Sequence, residues 1–131
     1  MITADLCIIP MGIEESSVGK YVAKAAQIIE KSGLNYQITA MGTQIETENL
    51  KKLYEVCGEV QESIFKMGVP RVYTVLKIDD RRDKENRTLE EKVKSVEKRM
   101  WKLIKIQIKI IIIIIIIIIK IKIKIIKKRK N

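Results

Sequence analysis

Histidine is absent from the 131 residues. That removes the usual general base at neutral pH and the commonest metal ligand together. No Ser-His or Cys-His nucleophile pair can be assembled. There are two cysteines, Cys7 and Cys57, and they form no Cys-x-x-Cys or other zinc spacing. Each lies in an apolar-patterned segment, where a reduced, packed cytosolic thiol is expected rather than a nucleophile beside Lys77. Neither GxGxxG nor a Walker-type GxxxxGK sequence occurs, so both nucleotide fingerprints are missing. The amino-terminal "MITADLCIIPMG" has no basic lead and carries Asp5 inside its apolar run, which argues against a signal peptide. The "NRT" sequon at Asn86 carries no weight without secretion. Acid is missing from one region: residues 102–131 hold ten Lys/Arg and no Asp or Glu. Residues 1–101 then hold 16 basic and 16 acidic residues, so the formal charge of +10 belongs to the tail alone. The remainder has no electrostatic footprint for nucleic acid.

What is present reads as one domain with a modest core. Ile2, Ala4, Leu6 and Ile8 alternate with Thr3, Asp5, Cys7 and Ile9, which predicts a central strand ended by Pro10 and Gly12. "ESSVGKYVAKAAQIIEKSG" predicts a helix with Ser16 or Ser17 as cap, a stripe of Val18, Val22, Ala25, Ala26 and Ile29, and Gly33 at its end. "LNYQITAM" and "TQIET" predict a hairpin broken at Gly42. A second helix is expected to open at Thr47, striped by Leu50, Leu53, Cys57, Val60, Ile64 and Met67 and closed by Gly68. "PRVYTVLKID" predicts a fourth strand, with Val72, Thr74, Leu76 and Ile78 on one face. Thr88 and Glu91 make a capping box for a third helix striped by Leu89, Val93, Val96 and Met100. The order β-α-β-β-α-β plus a helix is the α+β, ferredoxin-like split arrangement. Right-handed crossovers place strands 1 and 3 centrally and both helices on one face of an antiparallel sheet. The other face mixes Cys7, Ile9, Tyr73 and Val75 with Thr3, Asp5, Gln37, Thr39 and Lys77, and a half-apolar face of this kind wants a cover.

Beyond Trp101 the composition collapses to Ile and Lys, with ten isoleucines unbroken from Ile110 to Ile119. A spanning helix needs about 20 apolar residues. The Ile-Lys alternation on both sides has the period of a strand, and an exposed run of this kind is aggregation-prone. Residues 102–131 are therefore expected to lie outside the fold of residues 1–101. An accidental extension or frameshifted end, such as translation of an A/T-rich repeat, ranks first as their origin, a membrane-associating anchor a distant second and an evolved fibre-forming element third.

"MITADLCIIPMG", "SVGKYVAKA", "YQITAMGTQIE" and "VLKIDDRRDKENRTLEEKVKSVEKR", in this order, resemble the thiamine-binding protein family of small ferredoxin-like proteins. The resemblance covers residues 1 to about 101. It implies a non-catalytic cytoplasmic protein that binds thiamine or its hydroxymethylpyrimidine moiety, needs no cofactor, and acts as a homo-oligomer, dimer or tetramer. Thiamine joins a flat aminopyrimidine to a cationic thiazolium, and so asks for paired donors and acceptors beside carboxylate or aromatic faces. Asp5, Thr39 and Tyr73 on the open face, Met41, Gly42 and Thr43 in the turn, and Ser17 at a helix start are the expected ligand residues. Lys77, Asp79, Asp80, Arg81 and Arg82 are expected at a subunit joint, because two planar guanidinium forks suit bidentate carboxylate pairing within the loop or across a symmetry axis. The competing reading is a structural or regulatory oligomer with no dedicated ligand. Membrane association enters only through the tail.

Overall fold

The computed structural model describes residues 1–85 and 87–130; Asn86 of the sequon lies outside the described residues. The elements are β1 (Ile2–Met11), α1 (Gly19–Lys31), β2 (Asn35–Ile38), β3 (Thr43–Thr47), α2 (Leu50–Phe65), β4 (Arg71–Asp80) and α3 (Leu89–Lys130). The four strands form one antiparallel sheet in the order β2-β3-β1-β4. This is the ferredoxin-like arrangement, with the first and third strands central as their crossovers require. Residues 1–91 form one compact unit and residues 92–131 a second.

The core of the first unit lies between the sheet and the two helices. Ile2, Ala4 and Leu6 of β1 and Ile45 of β3 meet Ala25 and Ile29 of α1 and Leu53, Val56, Cys57 and Val60 of α2. Each large aliphatic side chain fully buried here contributes about 1.5–3 kcal/mol relative to exposure. Burial pushes the Cys57 thiol up to about 11, because an apolar setting disfavours thiolate.

Local chemistry explains where the helices begin. α2 opens at Asn49, whose side chain accepts from the Lys52 N–H at 3.0 Å, and not at Thr47, which ends β3. α1 opens at Gly19 after Val18, without a side-chain cap from Ser16 or Ser17. Starting there, α1 buries Tyr21, Ala25, Ala26 and Ile29, whereas Val18 and Val22 stay 38% exposed. The expected capping box forms its half: Glu91 N–H donates to Thr88 Oγ1 at 3.2 Å. Val93, Val96 and Met100, expected as a buried stripe, are exposed.

The open face is not wholly bare. The Glu46 carboxylate accepts the Leu89 N–H at 2.8 Å, so the chain after β4 returns to this corner, and Thr3 beside Glu46 is buried. The opposite corner, with Ile9, Met11 and Tyr73, remains exposed. Residues 102–130 are helical, against the strand period of the sequence. A helix satisfies the backbone of such a segment from within, without a partner strand.

Candidate functional site

The strands of the central pair differ in length. β1 pairs with β4 along its whole course, from Ile2 opposite Asp80 to Met11 opposite Arg71. Its ladder with β3 stops at Leu6, opposite Thr43. From Cys7 to Pro10 the β3 side of β1 therefore carries no strand. In an antiparallel strand alternate residues turn both N–H and C=O to the same side, so this edge presents unpaired backbone groups.

A pocket of about 220 Å³ fills the notch. Its floor is Leu6 to Pro10 of β1, one wall is Val18, Val22 and Ala25 of α1, and the other is the hairpin turn from Thr39 to Thr43. The turn is rigidly closed: the Thr39 N–H and hydroxyl both donate to the Gly42 carbonyl, at 2.9 and 2.8 Å. Gly42 is fixed by space. A Cβ there would lie 2.5 Å from Asp5 Oδ1 and 3.2 Å from the Leu6 carbonyl. The walls are apolar side chains, and the polar groups are concentrated at the strand edge and the turn. A small flat molecule with donors and acceptors around its rim suits such a space.

A family model described as "Thiamine-binding protein" matches residues 4–97. The chain belongs to the thiamine-binding protein family. A UPF0045 protein of Methanothermobacter thermautotrophicus is 44% identical over 100 residues, covering 76% of this chain and 100% of the relative. Among solved structures, protein MJ1052 of Methanocaldococcus jannaschii superposes with a TM-score of 0.67 at 38% identity, over 73% of this chain and 95% of that one. A candidate thiamine biosynthesis/salvage protein of Thermotoga maritima superposes with a TM-score of 0.62 at 21% identity, over 72% and 97% of the two chains. The last likeness is one of fold.

Of the ligand residues expected for this family, the structure brings Thr39, Met41, Gly42 and Thr43 together on one wall. Asp5 lies directly beneath Gly42 but on the open face, paired with Lys77, its neighbour across β4, at 2.6 Å. Ser17 is exposed ahead of α1 and Tyr73 is exposed on β4, and neither lines the pocket. The lining also includes Cys7, Ile9, Pro10, Val18 and Val22, which the sequence reading did not place in a site. The valines gave no such signal, because an i, i+4 apolar pair at a helix start reads as core.

The charged segment after β4 pairs within itself. Arg81 grips Asp83 with Nε to Oδ1 at 2.7 Å and a terminal nitrogen to Oδ2 at 3.0 Å, and Arg82 reaches Asp80 Oδ2 at 3.0 and 2.7 Å. These hydrogen bonds hold the Asp80 and Asp83 carboxyls below the usual range and raise both guanidinium groups. Lys77 joins Asp5, not this cluster. Asp79 faces Thr3 across the β1–β4 ladder. No helix among the described residues is long and apolar enough to cross a membrane, and no group of three metal-ligating side chains occurs among them.

Proposed function

We propose that this chain is a non-catalytic binding protein whose notch between β1, α1 and the β2–β3 turn takes the pyrimidine ring of thiamine or of a related small molecule. The observation that carries the reading is the early end of β3. It leaves the Cys7–Pro10 edge without a strand partner in an apolar pocket of about 220 Å³. Drug-sized ligands occupy about 300–1,000 Å³, so a single substituted ring fits while the rest of thiamine extends outward. A flat ring between Val22 and the turn would complete backbone hydrogen bonds that the sheet leaves unmade. Family membership supports thiamine as the first ligand to test. Asp5 lies close enough to the turn to answer a cationic thiazolium, in competition with Lys77.

The protein acts as a homo-oligomer in this reading. The exposed corner of Ile9, Met11 and Tyr73 lies along β4, an edge strand of ten residues with a partner on one side only. A long edge beside an apolar patch invites a second copy. Arg81 and Arg82 stand at the end of that strand, where their carboxylate pairs can exchange with those of a symmetry mate. Titration calorimetry of the full chain against thiamine, hydroxymethylpyrimidine and thiamine phosphates tests the ligand. Heat from the pyrimidine-bearing molecules is expected, and none from any of them at millimolar concentration removes the assignment.

A further inference from the structure

The second unit has a feature that its composition conceals. Lys98, Lys102, Lys105 and Lys109 follow one another at spacings of 4, 3 and 4 residues, Lys120 comes 11 later, and Lys124 and Lys127 follow at 4 and 3. Eleven residues are about three helical turns, so all seven lysines fall on one side of α3, on both flanks of the isoleucine block. The structure bears this out where it can be read directly: Lys98, Lys102, Lys105 and Lys109 line one shallow depression on the helix surface, together with Trp101 and Ile106. The remaining circumference is almost wholly isoleucine, and every residue from Ile110 to Ile119 is between 45% and 56% exposed. Arg99, Lys122, Lys128 and Arg129 lie off the stripe, the last three close to the helix end.

We propose that α3 from Lys98 onward docks lengthwise on an anionic membrane surface, its lysine stripe among the headgroups and its isoleucine side in the acyl boundary. Three features select this occupant. The segment from Lys98 carries no acid, so its charge complements a negatively charged lipid leaflet. The bare block of ten isoleucines is about 15 Å long against a hydrocarbon core of about 30 Å, so it enters without crossing. From Lys102 to Lys120 every charge lies on one side of the helix, on both flanks of the isoleucine block, which is the pattern of a helix lying in the interface plane. A nucleic acid would satisfy the lysines but give the isoleucines no apolar phase.

Co-sedimentation of the full chain with vesicles is the test. Vesicles of equimolar phosphatidylcholine and phosphatidylglycerol should retain the protein, and pure phosphatidylcholine should retain at least about tenfold less, with retention falling as salt rises. Trp101, the single tryptophan, should shift its emission to shorter wavelength on binding. Replacing Lys102, Lys105 and Lys109 by Gln should weaken retention about a hundredfold, about fivefold for each charge, while helix content by circular dichroism stays unchanged. Ile111→Glu with Ile114→Glu and Ile118→Glu should abolish retention with the lysines intact. Equal retention on neutral vesicles, lipid-independent sedimentation through self-association, or tight binding to duplex DNA with none to vesicles would each overturn the proposal.

Discussion

Replacing Gly42 with alanine probes the contact that shapes the pocket. The new methyl group would meet Asp5 Oδ1 at 2.5 Å and the Leu6 carbonyl at 3.2 Å. The backbone at Gly42 is not left-handed, so the cost is one of space rather than of conformation. Asp5 can swing away only by loosening its 2.6 Å pair with Lys77, whose side chain is 71% exposed. A pair that open is worth about 0–1 kcal/mol. The Leu6 carbonyl belongs to the central strand and yields little, so the turn must shift instead, and overpacking of this kind costs about 1–3 kcal/mol. A total near 2 kcal/mol corresponds to a fall in melting temperature of roughly 8–16 °C for a domain of this size. The assay is urea and thermal unfolding followed by near-ultraviolet circular dichroism, to which the buried Tyr21 contributes. Met41→Ala in the same turn is the control: Met41 is 85% exposed and its loss should fall within about 0.5 kcal/mol. Displacing the turn should also weaken pyrimidine binding about threefold to tenfold, the worth of one hydrogen bond. Unchanged unfolding together with unchanged binding in Gly42→Ala would refute the view that close approach to Asp5 sets the turn.

Three further outcomes are expected. Asp5→Asn should weaken thiamine by about 1–3 kcal/mol more than the neutral pyrimidine moiety, the range of a lost charge-assisted contact; equal weakening of both in calorimetry removes Asp5 from the site. Arg81→Lys or Arg82→Lys should yield a smaller species on dilution in sedimentation, because lysine cannot reproduce the forked pairs with Asp83 and Asp80; intact assembly in both variants marks the segment as a self-paired loop. Cys57 ionises at about 11 when folded and near 9.0 when unfolded, so the unfolded chain loses its proton first, and stability should decline as pH rises from about 9 towards 11. Cys57→Ala should flatten that decline in urea titrations across the same interval.

The fold was legible because each element declares itself locally. Strict alternation in Ile2–Ile8, the 3-and-4 spacing from Leu50 to Ile64, and Gly33 and Gly68 after the first two helices leave little choice of order, and right-handed crossovers fix the rest. The site was legible in part. Met41, Gly42 and Thr43 were recognisable as a turn, and turns carry function. Ser17 was misread as a cap because a serine before a helix is ordinarily one, yet α1 starts two residues later. Val18 and Val22 look like core by their spacing. Only the early end of β3 shows that they face a cavity, and strand length is a tertiary fact. The tail misled through its period: Ile-Lys alternation favours a strand only when the segment is paired with another strand, and a helix satisfies its backbone alone.

The early end of β3 also makes the hairpin a ruler. Each residue added to both arms of the turn would carry the β1–β3 ladder one step further, over Cys7 and then Ile8, exchanging cavity for sheet. Shortening the arms would open the notch towards Leu6 and expose the core. What this scaffold can hold is thus set by a count of residues in one loop, before any wall residue is changed. A chain of the same fold with a hairpin four residues longer on each arm would have no vacancy at this place, however similar the rest of its sequence.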